Sequence, residues 1–225
     1  MATVSYGLKI TEAYHIFDKT IKTYHNAVHY ISDIVIRHYD ELKSLESITG
    51  DDGKVIISAQ QRRQQKMERL IHSTANNDAT YKRFDKEFYK FPSYLRRDAI
   101  NTAIGLILSY RSQLQKWEDG GRHGRRPYLN RNQNTMPCFY RNNTFLDSEE
   151  TNIISLKLYN GKDWIWETFA IRDCDFMYAY SHMKAWKASA PVLVKRNHRY
   201  ELRISYEMAG HKFPKFKKDK EVETV

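Results

Sequence analysis

Hydrophobic residues in the first half of the chain recur at helical spacing. Between Thr11 and Leu42 they fall three and four positions apart, which predicts one long amphipathic helix with Thr11 as its N-cap. Ser58 followed by Gln61 is a capping-box signature, so a second helix is expected over about residues 59–73. The first half of the chain is therefore predicted to be helical.

A proline separates two further predicted helices. A short helix is expected around residues 81–89, because the residue before Pro92 is pushed out of the α region. Ser93 is predicted to cap the next helix, which would bury an apolar face ending at Trp117. The first turns of this helix would carry exposed arginines and backbone N–H groups, an arrangement that suits a phosphate or a base edge.

After Gly120 the hydrophobic period changes from 3.6 to 2, which predicts strands. Alternating segments on either side of Asn160 and Gly161 predict one hairpin, and a second hairpin is expected to turn at residues 196–198. Residues 3–10 read as a short N-terminal strand, which needs a partner from elsewhere in the chain.

Together these elements predict an α+β fold. Four or five strands with short turns indicate a small β-barrel of the wedge or OB type, which the N-terminal strand could complete. The helical bundle would then be an insertion after the first strand. We expect a first barrel strand at residues 1–10, a helical lobe at 11–120, and a wedge-like barrel with a basic tail at 121–225. Residues 172–189 fit either a helix or a long loop.

The charge of the chain favours a polyanionic partner. Its 225 residues carry a formal net charge of +10 and have a pI near 9.4. Lysines and arginines that neutralise phosphates release condensed counterions, so nucleic acid is the leading candidate. The chain has 16 tyrosines, 10 phenylalanines and 4 tryptophans. Their flat rings could stack on unpaired bases, although most such rings belong to protein cores.

Little in the sequence supports a secreted protein, a membrane protein or a metal site. The N-terminus has neither a signal-peptide pattern nor a membrane span, so we expect a cytoplasmic protein with no membrane partner. Cys138 and Cys174 lack CxxC spacing and are expected to be reduced thiols. His25 and His29 lie four residues apart but have no third ligand nearby. We therefore predict no metal, no cofactor and no catalytic residue in this chain.

The segment GRHGRRP at residues 121–127 is the most basic turn of the chain. It lacks the lysine-serine ending of a Walker loop, so nucleotide hydrolysis has no support. A solvated turn is the simpler interpretation of this segment. The alternative is a grip on a nucleic-acid backbone by charge-assisted contacts, because three arginines lie immediately before a predicted strand.

Two more segments have side chains suited to nucleic acid. Arg141 can read guanine, and the amides of Asn142 and Asn143 can read adenine, although a turn at a strand end is the simpler interpretation. The tail HKFPKFKKDK alternates lysine with phenylalanine, which suits single-stranded or structured RNA and equally a flexible linker.

The order of these segments resembles the N-terminal half of the TnpB (OrfB) family, the RNA-guided nucleases of insertion sequences that are related to compact type V CRISPR effectors. Three stretches carry the resemblance: the helix at 94–101, GRRPYL at 124–129, and FYRNN at 139–143. The resemblance implies a barrel strand, an inserted helical recognition lobe and a wedge-like barrel, in that order. The chain ends at KDKEVETV, about where that family begins its RuvC nuclease domain.

The resemblance also implies three sets of nucleic-acid contacts. Residues of the helix and of FYRNN would read a short motif beside the DNA target, namely Tyr94, Arg96, Arg97, Asn101, Tyr140, Arg141, Asn142 and Asn143. Residues of the basic turn and just after it would grip nucleic-acid backbone, namely Arg122, Arg125, Arg126 and Arg131. Basic residues of the C-terminal part would bind RNA, namely Lys184, Lys187, Lys195, Arg196, Lys212, Lys215, Lys217 and Lys218.

The implied partners are a guide RNA and double-stranded target DNA. Cleavage would require a RuvC domain with its Mg²⁺, either cut off from this chain or supplied by another polypeptide. Two alternatives stay open at this point: a stand-alone, nuclease-free regulator that binds DNA or RNA, and an inactive remnant.

Overall fold

The computed structural model describes residues 2–10, 15–130, 135–147, 153–171, 187–196 and 199–208. Within these ranges the protein has an α+β fold, as predicted. The helices are α1 (His15–Arg37), α2 (Tyr39–Lys43), α3 (Ala59–Ile71), α4 (Arg83–Glu87) and α5 (Ser93–Asp119). The strands are β1 (Ala2–Lys9), β2 (Ile48–Thr49), β3 (Val55–Ile57), β4 (Phe145–Asp147), β5 (Ile153–Tyr159), β6 (Trp164–Ala170), β7 (Lys187–Ala188), β8 (Val192–Arg196) and β9 (Arg199–Met208).

The long N-terminal helix is interrupted at His38, where the sequence predicted continuity to Leu42. The backbone of His38 leaves helical geometry, with φ −107° and ψ 19°. Its side chain lies 3.0 Å from the hydroxyl of Tyr81 and 3.2 Å from the carboxylate of Glu41. These contacts outweigh the weak preference for one continuous helix. The predicted cap, Thr11, lies outside the described residues.

Two helix starts show where capping signals succeed and fail. The capping box of α3 is confirmed, because the Ser58 hydroxyl accepts from the Gln61 amide at 3.2 Å and the Gln61 side chain accepts from the Ser58 amide at 3.0 Å. The predicted Ser93 cap is wrong. Pro92 takes the N-cap position and Ser93 is the first helical residue, because the Pro92 carbonyl accepts from the Arg96 amide at 2.8 Å.

The core joins the helices to the strands. Helix α1 packs along α5, with Val28 and Ile31 on one helix and Ile100 and Ile107 on the other fully buried. Burying such side chains contributes about 1.5 to 3 kcal/mol each, which makes this pair a main stabilising contact. α3 packs against α5 as well, so α5 is held between two other helices.

Both predicted hairpins are confirmed. β5 and β6 pair from Ile153↔Ala170 to Tyr159↔Trp164, around a four-residue loop in which Gly161 has φ +104°. β8 and β9 pair down to Arg196↔Arg199. The N-terminal strand also finds the distant partner it needs, because β1 pairs with β9 over its whole length. The small hairpin of β2 and β3 was not predicted.

The predicted closed barrel is not formed by the described strands. They form a sheet of β1, β9, β8 and β7, a sheet of β4, β5 and β6, and the small β2–β3 hairpin. An isolated bridge at Ile10↔Ile171 connects the ends of β1 and β6, and another at Cys138↔Val192 connects β8 to the segment before β4. One residue pair at each junction is too little for a continuous ladder, because a ladder needs several successive bonds. Of the ambiguous segment, residues 172–186 lie outside the described ranges.

No helix within the described ranges combines the length and the apolar content needed to cross a membrane.

Candidate nucleic-acid interface

The two segments predicted to read DNA meet in the folded protein. The rings of Tyr94, in the first turn of α5, and Tyr140, just before β4, lie 5.4 Å apart at an interplanar angle of 44°. The Arg97 guanidinium lies 5.5 Å from the centre of the Tyr94 ring. We call Tyr94, Arg97 and Tyr140 the Tyr94 cluster. It presents one partly exposed surface built from residues that are more than forty positions apart in sequence.

A buried carboxylate fastens this cluster to α5. One oxygen of Asp98 accepts a hydrogen bond from the Tyr24 hydroxyl at 2.6 Å and another from the Cys138 amide at 3.0 Å. Burial raises the pKa of Asp98 despite these two bonds, which act in the opposite direction. Burial and the neighbouring Asp98 also raise the pKa of Tyr140 to about 12, so its hydroxyl stays protonated and can donate.

The raised pKa of Asp98 makes stability depend on pH. The folded protein binds this proton more tightly than the unfolded chain, so its stabilising effect is complete below the ordinary pKa of 3.8 and is lost as pH rises through the raised value. In the Asp98→Asn variant the amide oxygen can still accept both hydrogen bonds. We expect this variant to gain stability relative to the parent as pH rises from the ordinary pKa of aspartate to the raised pKa of Asp98. Urea unfolding at several pH values measures the free energy of unfolding of both proteins. If the advantage of Asp98→Asn over the parent shrinks as pH rises, this account is contradicted.

Arg96 is not exposed, although the sequence predicted an exposed arginine there. Only 7% of the residue is accessible, and its guanidinium contacts a Glu68 carboxylate oxygen at 3.1 Å. Arg97 donates to the other Glu68 oxygen at 3.3 Å, and the Asn101 amide donates to Gln64 at 3.1 Å. These contacts join α3 to α5. They leave Arg97 as the arginine of this pair with an exposed side chain, 44% accessible.

The segment Arg141–Asn143 lies at a turn before β4, as the simpler interpretation of the sequence had it, and not within a strand. The backbone N–H of Asn142 donates to the Phe145 carbonyl at 2.8 Å, and the side-chain amide of Asn143 donates to the Arg141 carbonyl at 3.1 Å. Asn142 has φ +63°, a left-handed conformation that asparagine tolerates better than most residues. All three residues are exposed, and the Arg141 guanidinium lies 5.6 Å from the centre of the Phe145 ring.

The basic turn, residues 121–127, follows the end of α5, and its residues up to Arg126 are exposed. The Trp117 indole donates to the Gly124 carbonyl at 3.3 Å, which folds the turn back onto the helix. Arg126 lies 5.9 Å from the centre of the Trp117 ring, and Arg125 lies 5.4 Å from the centre of the Tyr128 ring. Ring contacts hold these guanidinium groups at the surface while their N–H groups stay accessible to an anion.

The basic turn and the Tyr94 cluster lie at opposite ends of α5. Between Tyr94 and Trp117 the helix rises by roughly 35 Å at 1.5 Å per residue. That length is about one helical turn of duplex DNA, which is ~34 to 36 Å.

The predicted RNA-binding set is only partly described. Lys195 contacts Asp18 at 2.6 Å, and this partner together with the Tyr200 hydroxyl lowers the pKa of Asp18. Lys187 is exposed on β7, and the backbone of Arg196 ends β8. Lys195 would therefore have to leave an ion pair to bind RNA. The remaining predicted cations outside the described residues are Arg131, Lys184, Lys212, Lys215, Lys217 and Lys218.

One basic groove was missed by the sequence analysis. It has a volume of about 590 Å³ and lies between α3 and the start of α5, where Arg69, His72, Asn76 and Arg97 line it. The sequence signal for it was the run QQRRQQKMER of α3, which carries four cations within ten residues. In the fold much of that charge serves structure, since Arg63 donates to the Leu42 carbonyl at 2.8 Å.

The two neighbouring histidines pack together instead of pointing to a common ligand site. The rings of His25 and His29 lie 4.2 Å apart, and His25 is hydrogen-bonded to Thr135 at 3.1 Å. Burial and the nearby His29 lower the pKa of His25. Across the described ranges, no three histidine, cysteine, aspartate or glutamate side chains converge closely enough to hold a metal ion.

A family model matches residues 2–160, which is most of the chain. The chain belongs to the Aq_aa04 family. The matched residues run from β1 through α5 to the end of β5, so both the Tyr94 cluster and the basic turn lie inside the family region. No curated protein matches the chain significantly.

Proposed function

We propose that this chain binds nucleic acid, as the guide-RNA- and target-DNA-binding half of a TnpB-like RNA-guided DNA endonuclease. The observation that carries the proposal is the meeting of Tyr94 and Tyr140, because the two segments that resemble the motif-reading parts of that family contribute to one surface. Arg97 lies on the same surface. Arg141 and Asn142 are exposed on the turn that follows Tyr140.

In this proposal the two ends of α5 have different tasks. The arginines of the basic turn contact phosphates, which fixes the position of the duplex without reading its sequence. Arg97, Arg141 and Asn142 contact base edges of the short motif beside the target. Arg96 is excluded from this set, because its guanidinium is buried against Glu68. Target sequence beyond the motif is read by pairing with the guide RNA.

The two larger sheets correspond, in the same proposal, to an open wedge-like barrel. The bridge Ile10↔Ile171 supports this, because it joins the end of β1 in the first sheet to the end of β6 in the second. The guide RNA is held by this barrel and by the basic residues of the C-terminal part. Cleavage requires a RuvC domain that a partner polypeptide supplies in trans.

A randomised-motif binding screen with guide RNA tests the assignment. The Arg141→Ala and Asn142→Gly variants should lose preference at one or two base pairs of the motif, because a bidentate base contact is worth ~1 to 3 kcal/mol of discrimination. Glycine is chosen at Asn142 because it keeps the left-handed backbone while removing the amide. The Arg125→Ala variant is the control, and it should weaken all sequences about equally.

An unchanged motif profile in both variants, with the fold intact, would show that the turn is structural. The same screen without guide RNA separates the two binding hypotheses. A fixed motif bound equally well without RNA would favour the stand-alone regulator. Binding that depends on RNA would favour the guided half-nuclease.

A further inference from the structure

A groove of about 620 Å³ runs along the middle of α5. α5 forms one wall, and Tyr128 to Asn130 together with Thr135 form the other. All the described residues that line it are uncharged, in a chain with a net charge of +10. Amides, hydroxyls, tyrosine rings and two leucine side chains line it, so it differs from both the basic turn and the basic groove near α3.

Gly105 keeps this groove open. It is exposed in the interior of a 27-residue helix, and an added Cβ would meet no described atom within 4 Å. Glycine weakens a helix interior relative to alanine, so helix stability gives no reason for it. The missing side chain leaves a gap between Asn101, one turn before it, and Ser109, one turn after it. Both of these residues also line the groove.

Tyr128 places a flat ring at the end of the groove beside the basic turn. Of this residue, 65% is exposed, and the Arg125 guanidinium lies 5.4 Å from the centre of its ring. A large exposed aromatic residue with an arginine on it is a stacking platform for an unpaired base. A strand whose phosphates contact the basic turn would enter the groove at this point.

An unsatisfied acceptor lies at the opposite end. The amide nitrogen of Asn101 donates to Gln64 at 3.1 Å, whereas its carbonyl oxygen is buried with no hydrogen-bond partner among the described residues. A buried acceptor without a donor is costly, so it indicates a missing partner. The exocyclic amino group of a nucleobase is a donor of the required kind.

We propose that this groove binds unpaired nucleobases of a single strand whose phosphates the basic turn contacts. The inference rests on the proposed nucleic-acid binding and adds a single-strand site to it. Paired bases are excluded from such a site, because in a duplex their faces are stacked and their Watson–Crick edges are occupied. Only an unpaired base can stack on Tyr128 and also present its edge to the amides and hydroxyls of α5.

The test compares Gly105→Leu with Gly105→Ala. Leucine places its side chain in the groove, whereas alanine adds only one carbon, and both residues favour the helix more than glycine does. Gln60→Leu places a leucine at an exposed position of α3, outside the groove, and so controls for an added hydrophobic side chain on the surface. A second pair, Tyr128→Ala and Tyr128→Phe, separates loss of the ring from loss of the hydroxyl. Fluorescence anisotropy measures binding of short single-stranded DNA, single-stranded RNA and the same DNA as a duplex.

We expect Gly105→Leu and Tyr128→Ala to weaken binding of the single strands by ~5- to 150-fold, the range for loss of one base stack, and to change duplex binding little. Gly105→Ala, Tyr128→Phe and Gln60→Leu should bind like the parent. Single-strand affinity that Gly105→Leu and Tyr128→Ala leave unchanged would overturn the inference while leaving the proposed function intact. A parent protein that binds neither single strands nor duplex at low salt would overturn both.

Discussion

The Glu68→Ala variant should lose roughly 3 kcal/mol of stability, near the low end of the ~3 to 5 kcal/mol typical when one partner of a buried ion pair is removed. Glu68 lies 3.1 Å from the guanidinium of Arg96, whose Nε atom is already buried without a partner among the described residues. Truncating the carboxylate leaves a buried cation with only its 3.4 Å contact to the Phe91 carbonyl. Urea unfolding monitored by circular dichroism measures the loss as a shift in midpoint.

A double variant provides the control for this effect. Glu68→Leu combined with Arg96→Met replaces both charges by apolar groups of similar size, which is often neutral or stabilising at buried pairs. It should therefore recover most of the stability lost in Glu68→Ala. If Glu68→Ala unfolds at the parent midpoint, the ion pair contributes nothing measurable. If the double variant is the less stable of the two, desolvation of an unpaired Arg96 is the wrong explanation.

The Arg125→Ala/Arg126→Ala variant should bind duplex DNA about sixtyfold more weakly at 0.1 M salt, if each arginine neutralises one phosphate. Each phosphate contact adds ~0.9 to the slope of log K against log salt, which amounts to about an eightfold effect per contact at that concentration. The slope itself should fall by about 1.8. Both arginines are exposed, and their ring contacts leave the guanidinium edges accessible.

Arg83→Ala/Lys86→Ala is a charge-matched control for this measurement. It removes two exposed cations from α4, on a different part of the described chain. A general effect of net charge would weaken binding equally in both double variants, and it would contradict a specific role for the basic turn. Titrations at several salt concentrations are required, because the slope distinguishes lost phosphate contacts from a loss of folded protein.

Elements that depend on neighbouring residues were predictable from sequence. The capping box at Ser58 and the hairpin at Asn160 involve residues within four positions of one another, so their side chains and turn chemistry suffice. The stripe of α1 and the period change after Gly120 likewise reflect local spacing. Strand β1 could be predicted as a strand but not paired, since its partner β9 lies about two hundred residues away.

The same distinction between local sequence and distant contacts applies to the candidate site. The sequence by itself determined the basic turn, the charge that favours a polyanion, and the residue types able to contact bases. Tertiary structure decided which of these residues are available: Arg96 is buried because Glu68 of α3 lies opposite it, and Arg141 lies on a turn because Asn142 adopts a left-handed backbone. The contact of Tyr94 with Tyr140 depends on Asp98, which binds Tyr24 and the Cys138 backbone together. The burial and the long-range hydrogen bonds depend on how distant segments pack against each other. Periodicity along the chain carries no information about that packing.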